Sequence, residues 1–276
     1  MIWLGALALL CFAANSVLAR LALGSGSIDP ASFTAIRLLS GAIVLGILLR
    51  YRGAPRAASK GRWTGAALLF LYAAPFSFAY LSLPTGTGAL LLFGAVQLTM
   101  IGAGLWSGER PRPLEWIGLI AALSGLVYLN LPGLGAPSIH GALLMMVAGA
   151  AWGFYSLRGR TAGAPLPRTA ESFLYATPLG LALAAAGLPQ AHLSPAGVWF
   201  AAASGALASG LGYAAWYAVL PRLTATRAGT IQLAVPVVAA LAGTALLGER
   251  VSLRLALSAA AILGGVGLAI SAKART

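Results

Sequence analysis

Charged side chains are scarce in this sequence. Of its 276 residues, 8% are charged and 59% are hydrophobic, whereas a soluble domain carries about 25% charged residues. Acidic residues are the rarest, with five Asp and Glu against 18 Lys and Arg. This shortage of charge excludes a soluble globular protein and predicts a protein embedded in a lipid bilayer.

Residues that bind metals or perform catalysis are also few. The single cysteine, Cys11, excludes an intrachain disulfide framework and a cysteine-based metal site. The chain has one Asp and two His, and no Gly-Lys-Ser/Thr motif that could hold a phosphate. A membrane enzyme would need such groups in a cluster, so we expect no enzymatic activity, no cofactor and no metal. An ion channel is disfavoured as well, because its filter needs rings of carbonyls or charges around an axis.

Long runs without charge determine the number of helices. Residues 63–108, 116–157 and 172–221 contain no Asp, Glu, Lys or Arg, and each run is much longer than the roughly 20 residues of one membrane span. Each run is therefore two helices joined by a turn, and Gly/Pro-rich segments lie where these turns are needed. The remaining single spans lie near residues 3–23, 30–49, 224–247 and 252–272. The predicted fold is an all-α membrane protein with ten transmembrane helices.

The basic residues predict the orientation of these helices. Cytoplasmic loops of membrane proteins carry an excess of Lys and Arg. If the N-terminus is cytoplasmic, fourteen basic residues fall in the inner loops and the C-terminal tail, and only Arg20, Arg250 and Arg254 fall outside. We therefore expect both termini in the cytoplasm, with the protein in a bacterial inner membrane. The net charge of +13 then reflects topology, and we expect no nucleic-acid partner.

A short motif occurs twice. Gly108-Glu109-Arg110 recurs as Gly248-Glu249-Arg250, and in both places it ends one apolar helix and precedes another. Five helices separate the two copies, and an odd number places the second copy upside down in the membrane. The pattern predicts two inverted five-helix repeats, residues 1–135 and 136–276, which are a signature of secondary transporters. The alternative is that Gly-Glu-Arg is common turn chemistry.

The second copy of the motif carries a family resemblance. The segment GTIQLAVPVVAALAGTALLGERVS, with Pro236 in mid-helix, resembles the last-but-one helix of ten-helix EamA-type transporters of the drug/metabolite transporter superfamily. Val96 stands where the second half has Pro236. The length and the aromatic third helix are most similar to the amino-acid exporters of that superfamily, in particular the aromatic amino acid exporters. The resemblance implies alternating-access export of aromatic and other neutral amino acids, such as threonine and methionine, with broad specificity.

Deep polar and aromatic residues are the candidates for substrate binding. In the stretch LLFLYAAPFSFAYLSL, three rings at i, i+4 and i+8 share one helix face around a proline. Burying an amide inside a span costs free energy unless the amide is hydrogen-bonded. A buried amide can therefore indicate a binding site, although hydrogen bonds that join helices explain it equally well. The candidate substrate-binding residues are Asn15, Tyr72, Phe76, Tyr80, Phe93, Gln97, Trp152, Tyr155, Tyr213 and Gln232. The candidate helix bends are Pro75, Pro178 and Pro236.

Tryptophans near span ends are assigned to the membrane interface, where amphipathic rings anchor. This assignment covers Trp3, Trp63, Trp106, Trp116, Trp199 and Trp216 and leaves Trp152 as the inward one. For the inward rings, packing remains the alternative to binding.

Arg37 is the only charge well inside a span. An intramembrane charge is a functional hypothesis by default, so Arg37 is the candidate for holding a substrate carboxylate. Pairing with helix-end carbonyls and snorkelling are the structural alternatives. No deep carboxylate is available for a proton relay, which favours facilitated export or exchange over proton coupling. The expected partners are small-molecule amino acids and the lipid bilayer. A drug or other metabolite exporter remains the alternative, and a monomer is sufficient, with the oligomeric state left open.

Overall fold

A computed structural model describes residues 2–53, 61–106, 113–131, 137–160, 165–222, 232 and 234–273. Over these residues the chain forms ten helices and no sheet, with one isolated bridge between Ile28 and Leu193. The helices are α1 (Ile2–Gly24), α2 (Pro30–Tyr51), α3 (Arg62–Ala79), α4 (Thr85–Trp106), α5 (Pro113–Asn130), α6 (Ile139–Arg160), α7 (Pro165–Ala186), α8 (Pro195–Arg222), α9 (Ala234–Leu247) and α10 (Leu253–Lys273).

The all-α prediction is confirmed for this part of the chain. Five helices, α1, α2, α4, α6 and α8, are long and apolar enough to cross a membrane. Shorter apolar segments lie in α5, α9 and α10. Each predicted span coincides with one of the ten helices. In the span 224–247, residues 224–231 and 233 lie outside the described residues.

The eighth helix is irregular at its middle. It is α-helical over Pro195–Ala203, widens to a π-helix over Ser204–Leu211, and returns to an α-helix over Gly212–Val219. A π-segment adds a residue to the turn and is found frequently at functional sites. Here the π-segment packs against α1 and α2.

Helix packing follows a repeating pattern. α1 packs on α8 and α9, while α6 packs on α3 and α4. α2 packs on α8, while α7 packs on α3. The pairs α2–α7, α4–α9 and α5–α10 are also in contact. Each of these contacts is therefore matched by the one obtained when helix n is exchanged with helix n+5.

Two ends of the bundle can be distinguished by their polar contacts. At the first, which we call the basic end, Arg158 near the end of α6 donates to the carbonyl of Gly61 at the start of α3 (2.9 Å). At the other, the Glu249 end, Arg20 near the end of α1 donates to the carbonyl of Tyr80 (3.2 Å). The N-terminus of α1 consequently lies at the basic end.

Candidate functional site

Five aromatic rings from four helices meet at the centre of the bundle. The Trp152 ring lies 4.6 Å from Tyr213, 5.1 Å from Tyr72 and 5.6 Å from Phe12, centroid to centroid. Phe76 packs on Tyr72 at 5.4 Å. These distances fall in the range of attractive ring pairs. A small cavity, the ring cavity, lies between these five rings, with Ser16, Leu92 and Phe93 completing its lining.

Arg37 lies directly behind the wall of the ring cavity. The residue is 1% exposed, and its guanidinium is stacked over the rings of Phe76 and Tyr72, 4.6 and 4.9 Å from their centroids. Its Nη2 donates to the hydroxyls of Tyr72 (2.7 Å) and Tyr213 (3.4 Å), and its Nε donates to Ser209 (3.2 Å). All three acceptors are neutral. Nη1 has no hydrogen-bond partner, and no carboxylate pairs with Arg37 among the described residues.

Asn15 completes the polar network. Its Nδ2 donates to the Tyr72 hydroxyl at 3.1 Å, and its Oδ1 accepts from the hydroxyl of Ser204. The Tyr72 oxygen thus accepts from Asn15 and from Arg37 at the same time. Both lone pairs of this oxygen are therefore used, and the hydroxyl proton is the hydrogen-bonding group that Tyr72 has left.

The π-segment of α8 brings the two serines into this network. Gly205 lies against the backbone of α2, where a Cβ would overlap the carbonyl oxygen of Arg37 and the hydroxyl of Ser40. Only glycine permits this close approach. With Gly205 in contact with α2, Ser204 reaches Asn15 and Ser209 reaches Arg37.

Trp152 and Gln232 form a second polar contact beside the ring cavity. The indole Nε1 of Trp152 donates to Oε1 of Gln232 at 3.0 Å, and both residues are buried. The amide therefore joins α6 to the segment that precedes α9.

The other predicted site residues lie around this centre rather than in it. Tyr80 is fully buried towards the Glu249 end, packs on Phe76 at 4.8 Å and donates to the carbonyl of Thr85 (3.4 Å). Tyr155 lies on the opposite side, 5.7 Å from the Trp152 ring. Gln97 is buried in α4 and does not line the ring cavity, and its Nε2 has no partner in the described part of the chain.

The three prolines are not part of the cavity wall. α3 and α7 remain single α-helices through Pro75 and Pro178. Pro178 is exposed on the outer surface of α7, Pro75 is half-buried, and Pro236 is buried inside α9. None of the three lines the ring cavity.

The assignment of Trp216 to the membrane interface is wrong. Its side chain is fully buried, and its ring lies 5.8 Å from Phe12 in α1. Phe12 itself touches Trp152, Tyr213 and Trp216 and was not predicted, because one apolar ring in an apolar helix carries no distinguishing signal.

A polar cluster joins Glu249, which follows α9, to α4 and α1 at the Glu249 end. The Glu249 carboxylate accepts from the backbone N–H of Thr85 (2.9 and 3.0 Å) and from its hydroxyl (3.1 Å), and lies 3.4 Å from the Arg20 guanidinium. Gly248, at φ +67°, ends α9 and turns Glu249 towards the first helix turn of α4. We call Arg20, Thr85 and Glu249 the Glu249 latch.

Comparison with known proteins identifies the family. The EamA-like transporter family matches residues 1–131 and 139–271. An uncharacterized protein of Pseudomonas aeruginosa is 52% identical over 96% of this chain and 92% of its own length. The threonine/homoserine exporter RhtA of Salmonella typhimurium is 33% identical over 56% of this chain and 54% of its own.

A crystal structure that is 21% identical to this chain shares its fold, with a TM-score of 0.71 over 97% of this chain and 96% of the other. An uncharacterized transporter of Archaeoglobus fulgidus is 25% identical over 83% of this chain and 82% of its own. The helical architecture, the apolar spans and these matches together show that the chain belongs to the EamA-like transporter family and is a multi-pass inner-membrane transporter of small molecules rather than an enzyme.

Proposed function

We propose that this transporter exports amino acids from the cytoplasm by alternating access, taking aromatic ones and other neutral ones such as threonine and methionine. The observation that carries the proposal is Arg37, a buried cation with neutral acceptors only and a free Nη1 among the described residues. A buried charge without a partner is strongly unfavourable. A zwitterionic substrate would supply the missing carboxylate.

The surroundings of Arg37 suit an amino acid. Tyr72 and Tyr213 stand between the guanidinium and the ring cavity and accept from it, so the Tyr72 proton is available to donate to a carboxylate oxygen. Ring faces attract a substrate ammonium group through cation–π interaction and stack on an aromatic side chain. The name of the Salmonella relative, a threonine/homoserine exporter, supports the same substrate class.

Two inverted repeats, residues 1–135 and 136–276, would provide the alternating access. The exchange pattern of helix contacts supports this division, since α1 packs on α8 and α9 as α6 packs on α3 and α4. α1 begins at the basic end whereas α6 ends there, as an inverted pair should. We propose that the basic end, with the predicted excess of Lys and Arg, faces the cytoplasm.

Transport by facilitated export or exchange fits the site better than proton coupling. The described residues that line the ring cavity include no Asp, Glu or His, which are the usual members of a proton relay in membranes. Export of drugs or other metabolites is the alternative function, because a ring-lined cavity would also accept flat apolar cations.

The test is counterflow uptake into proteoliposomes preloaded with unlabelled solute. Labelled phenylalanine, tryptophan and threonine should accumulate without a pH gradient, whereas phenylalanine methyl ester and a cationic dye should not. Arg37→Gln should lower the uptake by about 10- to 100-fold, as expected for loss of a hydrogen bond between charged partners. Arg37→Lys should recover part of it.

Arg50→Gln, which removes an exposed arginine at the basic end, is the control. Thermal unfolding in detergent should show that the Arg37 variants are folded. Uptake of the ester and the dye at the rate of the amino acids, or flux that requires a pH gradient, would contradict the proposal and favour a proton-coupled drug exporter.

A further inference from the structure

A second cavity lies at the basic end, between α3, α6, α7 and α8. Two half-buried arginines and four polar or aromatic side chains form most of its lining: Arg158, Arg168, Thr169, Ser172, Tyr155 and Tyr217. The remaining described residues of the lining are two glycines. We call it the arginine cavity.

The arginines are held at the cavity by the local structure. Arg158 lies near the end of α6 and is anchored by its bond to the Gly61 carbonyl (2.9 Å). Arg168 lies in the first turn of α7, where its backbone carbonyl accepts from Ser172 (2.9 Å). Because both side chains are half-buried, solvent and salt screen their charges less than those of a fully exposed arginine.

Two tyrosines connect the arginine cavity to the ring cavity. Tyr155 follows Trp152 by one turn on α6, and Tyr217 follows Tyr213 by one turn on α8. The rings of Tyr155 and Tyr217 are 5.8 Å apart, and Tyr155 is 5.7 Å from Trp152. The same two helices therefore line both cavities, about one helical turn of 5.4 Å apart.

We propose that the arginine cavity is a second binding site for carboxylate-bearing solutes, occupied from the cytoplasm before the solute reaches the ring cavity. The identity of the solute as an amino acid rests on the function proposed above. Two arginine side chains in the wall of one cavity attract anions and raise their local concentration.

A small solute fits this position better than a lipid headgroup does. The cavity lies between four helices, and Tyr155 in its wall contacts Trp152 of the ring cavity. A phosphate headgroup would contact the arginines from the bilayer surface and would not extend towards the ring cavity.

The first experiment measures the charge preference of the cavity without any transport. Thr169→Cys is introduced in a Cys11→Ala background, and inside-out vesicles are treated with anionic or cationic methanethiosulfonate reagents. We expect the anionic reagent to react faster than the cationic one by about 10-fold or more, the size of a moderate electrostatic steering effect. Arg158→Gln and Arg168→Gln should each reduce this ratio, while Arg50→Gln should leave it unchanged. No labelling of Thr169→Cys, or equal rates for both reagents, would overturn the proposal.

The second experiment measures transport from the cytoplasmic face. Arg168→Gln should raise the KM for phenylalanine by about 5-fold, the effect of one charge interaction in a polar environment, with the maximal rate unchanged. The rise should shrink at high salt and be absent for phenylalanine methyl ester. A merely structural role for Arg168 would give a change that is independent of salt, and this outcome would overturn the proposal.

A third experiment varies the lipid composition to test whether the cavity binds an anionic lipid headgroup instead of a free solute. If the effect of Arg168→Gln occurs only in vesicles that contain phosphatidylglycerol and not in pure phosphatidylcholine, the cavity binds a headgroup and the proposal fails. If the wild-type chain moves no amino acid at all, the proposed function fails, whereas the labelling experiment still decides whether the cavity attracts anions.

Discussion

The two ends of the bundle use arginine in opposite ways. At the Glu249 end, Arg20 pairs with Glu249 at 3.4 Å, and the same carboxylate holds the first residue of α4. At the basic end, Arg158 and Arg168 line a cavity, and none of its described lining residues is acidic. A carboxylate of the chain therefore binds arginine at the Glu249 end, and we propose that a carboxylate from solution binds the arginines at the basic end.

This difference suggests a direction for the transport cycle. The Glu249 latch joins α9 of the second half to α1 and α4 of the first half, so separating the halves at that end requires breaking it. At the basic end, Arg158 of the second half donates to the Gly61 carbonyl of the first half (2.9 Å), and no ion pair joins the halves there among the described residues. We therefore propose that the two halves are held together more firmly at the Glu249 end, by an ion pair, than at the basic end.

Removing the carboxylate of Glu249 should have the largest effect on how often the Glu249 end opens. Glu249→Gln loses the ion pair to Arg20 and the charged acceptor of the Thr85 N–H, interactions worth about 1.5–3 kcal/mol each when a charge is involved and less when water has access. We expect the Glu249 end to open more often. A cysteine placed at the buried position Thr87 should then react about 10-fold faster with a membrane-impermeant reagent from that side, equivalent to about 1.4 kcal/mol.

Glu171→Gln removes a carboxylate from α7 near the basic end and serves as the matched control. Unchanged reactivity of the Thr87→Cys reporter in the Glu249→Gln background would show that the latch does not hold this end closed.

A double-mutant cycle should measure how strongly Arg20 and Glu249 are coupled within the latch. Arg20→Gln and Glu249→Gln, singly and together, are compared by the reactivity of the same Thr87→Cys reporter. Both side chains are partly exposed, so we expect a coupling of about 0.5–1 kcal/mol, typical of such pairs. The double variant should therefore react about 2- to 5-fold more slowly than additive effects require. Additive effects would mean that Arg20 acts only through its bonds to the carbonyls of Tyr80 and Leu81.

Much of the fold could be predicted because the bilayer imposes it. A span needs roughly 20 apolar residues, so the charge-free runs predict the helices with bounds close to those observed. The π-segment of α8 could not be predicted in this way. It lies where Gly205 approaches the backbone of α2, a tertiary contact that no local pattern encodes.

The centre of the site could be predicted where a residue is chemically conspicuous. Arg37, Trp152 and Gln232 stand out as polar atoms in apolar spans, and the structure brings them to the same region. Ser209 and Phe12 do not stand out, because serine and phenylalanine are ordinary in such helices. The depth of Trp216 was misjudged because sequence position measures distance along a helix and does not show which neighbour, here Phe12, covers the ring.

The smallest predicted effect concerns Asp29, the other carboxylate at the Glu249 end. It caps α2 by accepting from the Ser32 N–H (2.9 Å), and it also accepts from the His192 N–H of the α7–α8 turn (3.2 Å). Partial burial acts to raise the pKa of Asp29, but these backbone hydrogen bonds favour the charged form, and the pKa lies below its ordinary value. Ionised Asp29 therefore stabilises the folded state above the unfolded pKa of about 3.9, and this contribution is lost as pH falls through the lower folded pKa.

Asp29→Asn keeps an N-cap side chain of similar quality but removes the charge at the start of α2, an effect of about 0.5 kcal/mol. In detergent at pH 7 its melting temperature should be lower than that of the wild type by about 1–2 °C, and the difference should vanish as the pH is lowered below the folded pKa of Asp29. Ser138→Ala, which removes a hydroxyl from the same end of the bundle, should show no such pH dependence. A difference in melting temperature between wild type and Asp29→Asn that stays constant with pH would mean that the amide is a poorer cap. The charge of Asp29 would then contribute nothing to stability, and the Arg20–Glu249 pair would be the only charge interaction that stabilises the Glu249 end among the described residues.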